Sequence, residues 1–173
     1  MAQRAGDRGV GQGAASAEGD VNALTRQVDE PVAHRQPTLQ LRISPPTTSG
    51  RHQLLAHALT RITVDKLGKR GEVTAVLIAE LPAKRGTAGD HAVQRPTAWL
   101  EISITTGTSS PAQKAAFIAA AFAELQQPLA PDGPMEVASH VIVHELPATD
   151  WGYGGVTQHD RQQARAGAVV APQ

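Results

Sequence analysis

The chain has 173 residues, 40% of them hydrophobic but only 3% aromatic, so one domain, or two small ones in contact, must build its core from Leu, Ile, Val and Ala. The 16 basic residues balance the 16 acidic ones, a net charge of +0 that carries no electrostatic footprint for nucleic acid or an anionic membrane and is compatible with self-association. No cysteine is present, which excludes disulfides, thiolate metal sites and a cysteine nucleophile; no apolar run reaches transmembrane length and no secretory core opens the chain, so a cytoplasmic location is expected.

Residues 1–36 are rich in Gly, Ala, Gln and charge and show no sustained period. They read as a disordered tail that cannot bury enough to offset its ordering entropy. Pro37 then opens a strand in which Leu39, Leu41 and Ile43 alternate with Gln40 and Arg42, the period of two expected of one strongly apolar face. Pro45-Pro46 stops it. A helix follows from about Gly50 to Lys66, capped by Ser49, with Leu55, Leu59 and Ile62 along one side and Gly68 at its C-terminal end. A second strand over about Glu72 to Leu81 is apolar on both faces, as in a sheet covered on both sides.

The pattern then begins again. Pro37-Thr-Leu-Gln-Leu-Arg-Ile43 is echoed by Pro96-Thr-Ala-Trp-Leu-Glu-Ile102, an offset of 96 − 37 = 59, and Glu80-Leu-Pro-Ala83 by Glu145-Leu-Pro-Ala148, an offset of 145 − 80 = 65. Leu55, Leu59 and Ile62 correspond to Ile118, Phe122 and Leu125, each by 63. The third strand has Leu100, Ile102 and Ile104 on its apolar face and Trp99 on the other. Ser110-Pro111-Ala112-Gln113 is a capping-box start with proline in the first turn, and the helix is expected to end near Gln127, before Pro128. Val137 to Leu146 reads as the fourth strand. Trp151-Gly-Tyr-Gly-Gly155 reads as a hairpin, and the polar, Ala-rich residues 158–173 as a flexible tail.

The expected fold is therefore α/β: two tandem β-α-β units, residues 37–95 and 96–157, forming one four-stranded sheet with both helices on one face. The other face is expected to be apolar and to be covered by another subunit.

These residues resemble the tautomerase superfamily. The paired β-α-β units, each opening on a proline, the Ser-Pro-Ala-Gln-Lys helix start and the Ile-Val-His-Glu-Leu-Pro…Trp-Gly-Tyr-Gly-Gly hairpin are similar to the 4-oxalocrotonate tautomerase and malonate semialdehyde decarboxylase side, in its fused form. The resemblance implies a homotrimer of pseudo-dimers and an N-terminal proline that works as general base on small keto–enol acids. It places Pro37 on the catalytic proline, Trp151 on the pocket-lining aromatic and His140 where a substrate-binding arginine would be, with Ala75 as the equivalent in the first unit. A histidine can hold a carboxylate only while protonated, below roughly pH 6.5 for an ordinary imidazole. The arginine after the first strand has no counterpart: Thr47, and Thr106 to Thr108 in the second unit, stand there.

The larger departure is that 36 residues precede Pro37, so its nitrogen lies in an amide bond and has no basic lone pair. Cleavage between Gln36 and Pro37 would free it. Other residues read structurally. Pro96 is a strand-opening proline, internal in any processed form. Glu80 and Glu145 are expected to bind hairpin amides. His140 and His144, four residues apart on a strand, are about 13 Å apart, too far for one metal ion. No phosphate cradle or nucleophile elbow is present, and neither a metal nor a cofactor is expected. Two functions remain: a keto–enol isomerase acting on small 2-oxo or enol acids through Pro37, with Trp151 and His140 around the substrate, or a non-catalytic trimer that binds a small ligand or a protein.

Overall fold

The computed structural model describes residues 37–83 and 85–169; the expected tail over 1–36 lies outside them. Strand β1 (Thr38–Ser44) leads into helix α1 (Ser49–Leu67), and a single 3-10 turn (Gly71–Val73) precedes β2 (Ala75–Glu80). A short hairpin, β3 (Thr87–Ala88) with β4 (His91–Ala92), is followed by β5 (Thr97–Thr105), α2 (Pro111–Leu129) and β6 (His140–Leu146). A second hairpin, β7 (Gly152–Tyr153) with β8 (Val156–Thr157), ends in α3 (Gln158–Val169).

The four long strands form one sheet in the order β2-β1-β5-β6. Within each repeat the strands are parallel, as a helical crossover requires, and the repeats join antiparallel through β1 and β5. In that central pairing Leu41 lies opposite Leu100, its own repeat counterpart at an offset of 100 − 41 = 59. A pseudo-twofold axis therefore passes between two fully buried leucines.

Alternation decides what each face carries. Leu39, Leu41 and Ile43 of β1 and Ala98, Leu100, Ile102 and Ile104 of β5 are buried beneath the helices, with Leu55, Leu59 and Ile62 of α1 and Phe117, Ala121 and Leu125 of α2. The buried stripe of α2 differs from the expected one: Ile118 and Phe122 are 39% and 37% exposed. In an alanine-rich helix, Phe117 and Ile118 are adjacent and either can lead the stripe, so packing decides.

Local signals hold at most ends. Ser110 and Gln113 close a capping box at 2.8 and 3.2 Å, and Gly68 ends α1 at φ 61°. The cap of α1 is Thr48 rather than Ser49, its hydroxyl accepting from the Arg51 amide at 3.3 Å. Pro128 sits inside the last turn of α2 instead of ending it, because a proline there removes only one amide and Ala130 still donates to the Gln126 carbonyl at 2.9 Å. Residues 158–169, expected in a tail, are helical: Thr157 accepts from the Asp160 amide at 3.0 Å and donates to its carboxylate at 2.7 Å, starting the helix.

The second hairpin turns on Gly154 and Gly155, both at positive φ (57° and 75°), the geometry of a two-residue hairpin loop. Gly152 is fixed for a different reason: a Cβ there would run into the Val156 carbonyl oxygen and lie 2.8 Å from the Thr157 Cα. Gly152→Ala is expected to open the hairpin at a cost of about 1–3 kcal/mol, read as faster hydrogen exchange at the Tyr153 amide while the β5 amides stay protected.

Candidate functional site

Register separates the expected site residues into two groups. Pro37 directly precedes Thr38, which pairs with Ser103, so it lies at the end of the sheet where β5 finishes. There β6 finishes too, with Leu146 beside Thr105, and the Trp151 hairpin leaves from that end. His140 pairs with Trp99, and Trp99 with Arg42. Arg42 is five residues further along β1 than Pro37, roughly 16 Å at the rise of a strand. Within one chain, then, Pro37 and Trp151 belong to one sheet end and His140 to the other. The expectation that His140 orients a substrate at Pro37 is not met inside a single chain, because β6 enters the sheet at the far end.

At the Pro37 end the proline is buried, and its carbonyl accepts the Ala75 amide at 3.0 Å, just as that of Pro96 accepts Glu136 at 2.8 Å. The hairpin brings polar groups that the sequence reading missed. Arg161 of α3 donates to the Tyr153 carbonyl at 2.7 Å and lies 3.9 Å over the Tyr153 ring. Gln158 is 1% exposed, and its side-chain nitrogen, the Trp151 indole N–H and the Arg161 Nε–H are all buried with no hydrogen-bond partner among the described residues. Each such donor costs about 1–3 kcal/mol until an acceptor reaches it. The signal was available in the Thr157-x-x-Asp160 cap, which places Arg161 in the first turn of a helix packed on the hairpin.

The face of the sheet away from the helices is not the apolar one expected. Leu77 on β2 is 61% exposed and Ile142 on β6 is partly buried, but between them run Gln40, Arg42, Glu101 and Ser103. Arg42 donates to Glu101 Oε1 at 3.1 Å, the Trp99 indole donates to the same oxygen at 2.6 Å, and His144 Nε2 lies 3.4 Å from Oε2. Burial raises the Glu101 pKa, but the Trp99 and Arg42 hydrogen bonds, with the charges of Arg42 and His144, outweigh it and leave the carboxyl below its ordinary value.

The repeated glutamates also work differently from expectation. Glu80 accepts from the Thr47 amide at 2.6 Å and from His52 at 2.8 Å; Glu145 accepts from the Gly107 amide at 3.3 Å and from Lys114 at 2.6 Å. Each thus ties the end of its second strand to the loop that opens its own repeat's helix, not to the hairpin. Both carboxyls are depressed, Glu80 chiefly by the Thr47 amide and Glu145 chiefly by Lys114. A carboxyl whose folded pKa lies below its unfolded value contributes stability that is present above about 4.5 and is lost as pH falls through the folded value. The melting temperature is therefore expected to fall between about pH 6 and pH 3, less steeply in Glu101→Gln, as followed by circular dichroism.

Among the described residues no group of three or more metal-ligating side chains converges, and no helix is long and apolar enough to cross a membrane.

Two β-α-β repeats about a pseudo-twofold axis, each opening on a proline whose carbonyl pins the start of the next segment, define a tautomerase-type fold. No protein-family model matches the sequence, and no curated protein does. Solved structures are similar. The R7 fused 4-OT wild-type asymmetric trimer shares 27% identity over 71% of this chain and 97% of that one, with a TM-score of 0.62. Native fused 4-OT shares 29% over the same fractions, with a TM-score of 0.60. N1, a member of the cis-3-chloroacrylic acid dehalogenase family, has the same fold at 16% identity, covering 79% of this chain and 93% of that one, with a TM-score of 0.62. These likenesses support membership of the tautomerase superfamily, in its fused two-unit form.

Proposed function

We propose that this chain is one subunit of a homotrimer in which Pro37, once it is the first residue, acts as general base in the keto–enol isomerisation of small 2-oxo or enol carboxylic acids. The observation that carries this reading is the position of Pro37: it opens β1 at the sheet end from which the Trp151 hairpin leaves. A free α-amino group titrates near 7.7–8.0, and burial of the kind Pro37 has lowers that value by disfavouring the charged form. The amine then takes a proton from the carbon beside the carbonyl and returns it elsewhere on the conjugated system, so the reaction is balanced without a cofactor. The unmet N–H groups of Trp151 and Arg161 are the donors this chain offers to the substrate carboxylate and the developing enolate. The trimeric assembly of the similar R7 fused 4-OT supports the oligomeric state.

The test is turnover of a 2-oxo or enol acid by a chain beginning at Pro37. Ketonisation followed by ultraviolet absorbance, mostly lost in Pro37→Ala, is the expected result; no turnover of such acids overturns the proposal.

A second reading is favoured by the acylated nitrogen of Pro37 in the sequence as it stands. With residues 1–36 attached, the trimer is a non-catalytic module that binds a small ligand or a protein. It turns over none of these acids, and Pro37→Ala changes nothing.

A further inference from the structure

Strand β1 lies in the middle of the sheet, between β2 and β5. Every residue from Thr38 to Ile43 has a strand partner on both sides, Thr38 itself between Ala75 and Ser103. The pairing reaches back to Pro37, which is buried and whose carbonyl accepts the Ala75 amide at 3.0 Å. Leu39 and Leu41, the next residues on the helix side, are fully buried.

This enclosure bears on the Gln36–Pro37 bond. A peptidase that cuts within a chain takes the residues around the cut as an extended strand and pairs with their backbone N–H and C=O groups. From the Pro37 carbonyl onward, β2 and β5 already engage those groups. An aminopeptidase that removes the residue before a proline must instead enclose the proline ring, and Pro37 is buried. Either enzyme needs the start of β1 out of the sheet. Drawing out a central strand breaks two pairings and exposes Leu39 and Leu41, so it requires opening the core of the domain itself.

We propose that the Gln36–Pro37 bond is a processing site of the unfolded chain alone, and that folding closes it. Cleavage adds one water across the bond: the C–N bond breaks, Gln36 keeps a carboxylate and Pro37 a secondary amine. The inference rests on the reading in which Pro37 becomes the first residue, and it adds an order of events. The cut comes first, and β1 enters the sheet afterwards. A chain cut before folding has the amine; a chain that folds first keeps the amide and stays the non-catalytic form. Timing then decides between the two readings of Pro37.

Gln36→Tyr in the full chain turns the bond into one that an aspartic endopeptidase specific for aromatic–proline bonds accepts. Intact mass reads the cut, and a peptide spanning residues 32–42 of the same variant is the unfolded reference. The folded chain is expected to be cut at least about 10³-fold more slowly than the peptide, the ratio set by the unfolded fraction of a marginally stable domain. Adding Leu100→Ala is expected to speed the cut about 30-fold or more, because the rate follows the unfolded population. Ile102→Val, a milder change in the same buried row, is expected to speed it about 2- to 10-fold and replaces Leu100→Ala if circular dichroism shows that variant unfolded. A folded chain cut as fast as the peptide, or a rate that neither core variant changes, overturns the proposal. The readout is the bond and not turnover, so a chain beginning at Pro37 that isomerises nothing ends the isomerase reading without altering this result.

Discussion

A chain that begins at Pro37 is expected to isomerise a 2-oxo or enol acid about 10²- to 10⁴-fold faster than the full-length chain, the range a positioned general base supplies. The difference is electronic. In the full-length chain the Pro37 nitrogen shares its lone pair with the Gln36 carbonyl and cannot accept a proton; in the shortened chain it is a secondary amine. Nothing else in the fold needs to change, because the described contact of the Pro37 backbone is through its carbonyl, which accepts from Ala75 and sits on the other side of the residue. Pro37→Ala in the shortened chain is expected to lose most of the gain, since a primary amine replaces the ring nitrogen and the φ lock of proline is gone. Equal rates for the two lengths would show that some other group is the base.

Leu100→Ala is expected to destabilise the fold by about 2–5 kcal/mol and to lower the melting temperature by roughly 10 °C. Leu100 is fully buried and faces Leu41 across the pseudo-twofold axis, so truncation opens a cavity at the strand pairing that joins the two repeats. Both repeats contribute walls to that cavity, and neither helix can close on it without leaving its own half of the core. Gln40→Ala, on the opposite, open face of β1, is expected to shift the melting temperature by much less, which separates loss of packing from loss of any β1 side chain.

The architecture was legible because it is written twice. Leu39-Gln40-Leu41-Arg42-Ile43 declares both the strand and its two faces, and Ser110-Pro111-Ala112-Gln113 fixes the start of α2 with paired hydrogen bonds that need no tertiary help. The buried stripe of α2 was not legible, since Phe117 and Ile118 are equally apolar and only docking on β5 and β6 separates them. Helix α3 was missed because its residues are polar and Ala-rich; the Thr157 and Asp160 cap carried the information, not hydrophobic period. The site was legible residue by residue but not as an arrangement. Pro37, Trp151 and His140 are each where the repeats put them, yet which ones share an end depends on β1 and β5 running antiparallel, a tertiary fact with no local signal. For the same reason the register that sets Arg42, Trp99 and His140 side by side, drawn from two repeats and three strands, emerges only in the folded sheet.

The central claim is that Pro37 becomes an N-terminus. It is tested most directly by N-terminal sequencing and intact mass of the protein isolated from the cells that make it. The proposal predicts a chain that starts Pro-Thr-Leu-Gln-Leu, lighter than the full 18.1 kDa by residues 1–36. A chain that starts at Met1 or Ala2 would contradict it, because the nitrogen the chemistry requires would then still be an amide.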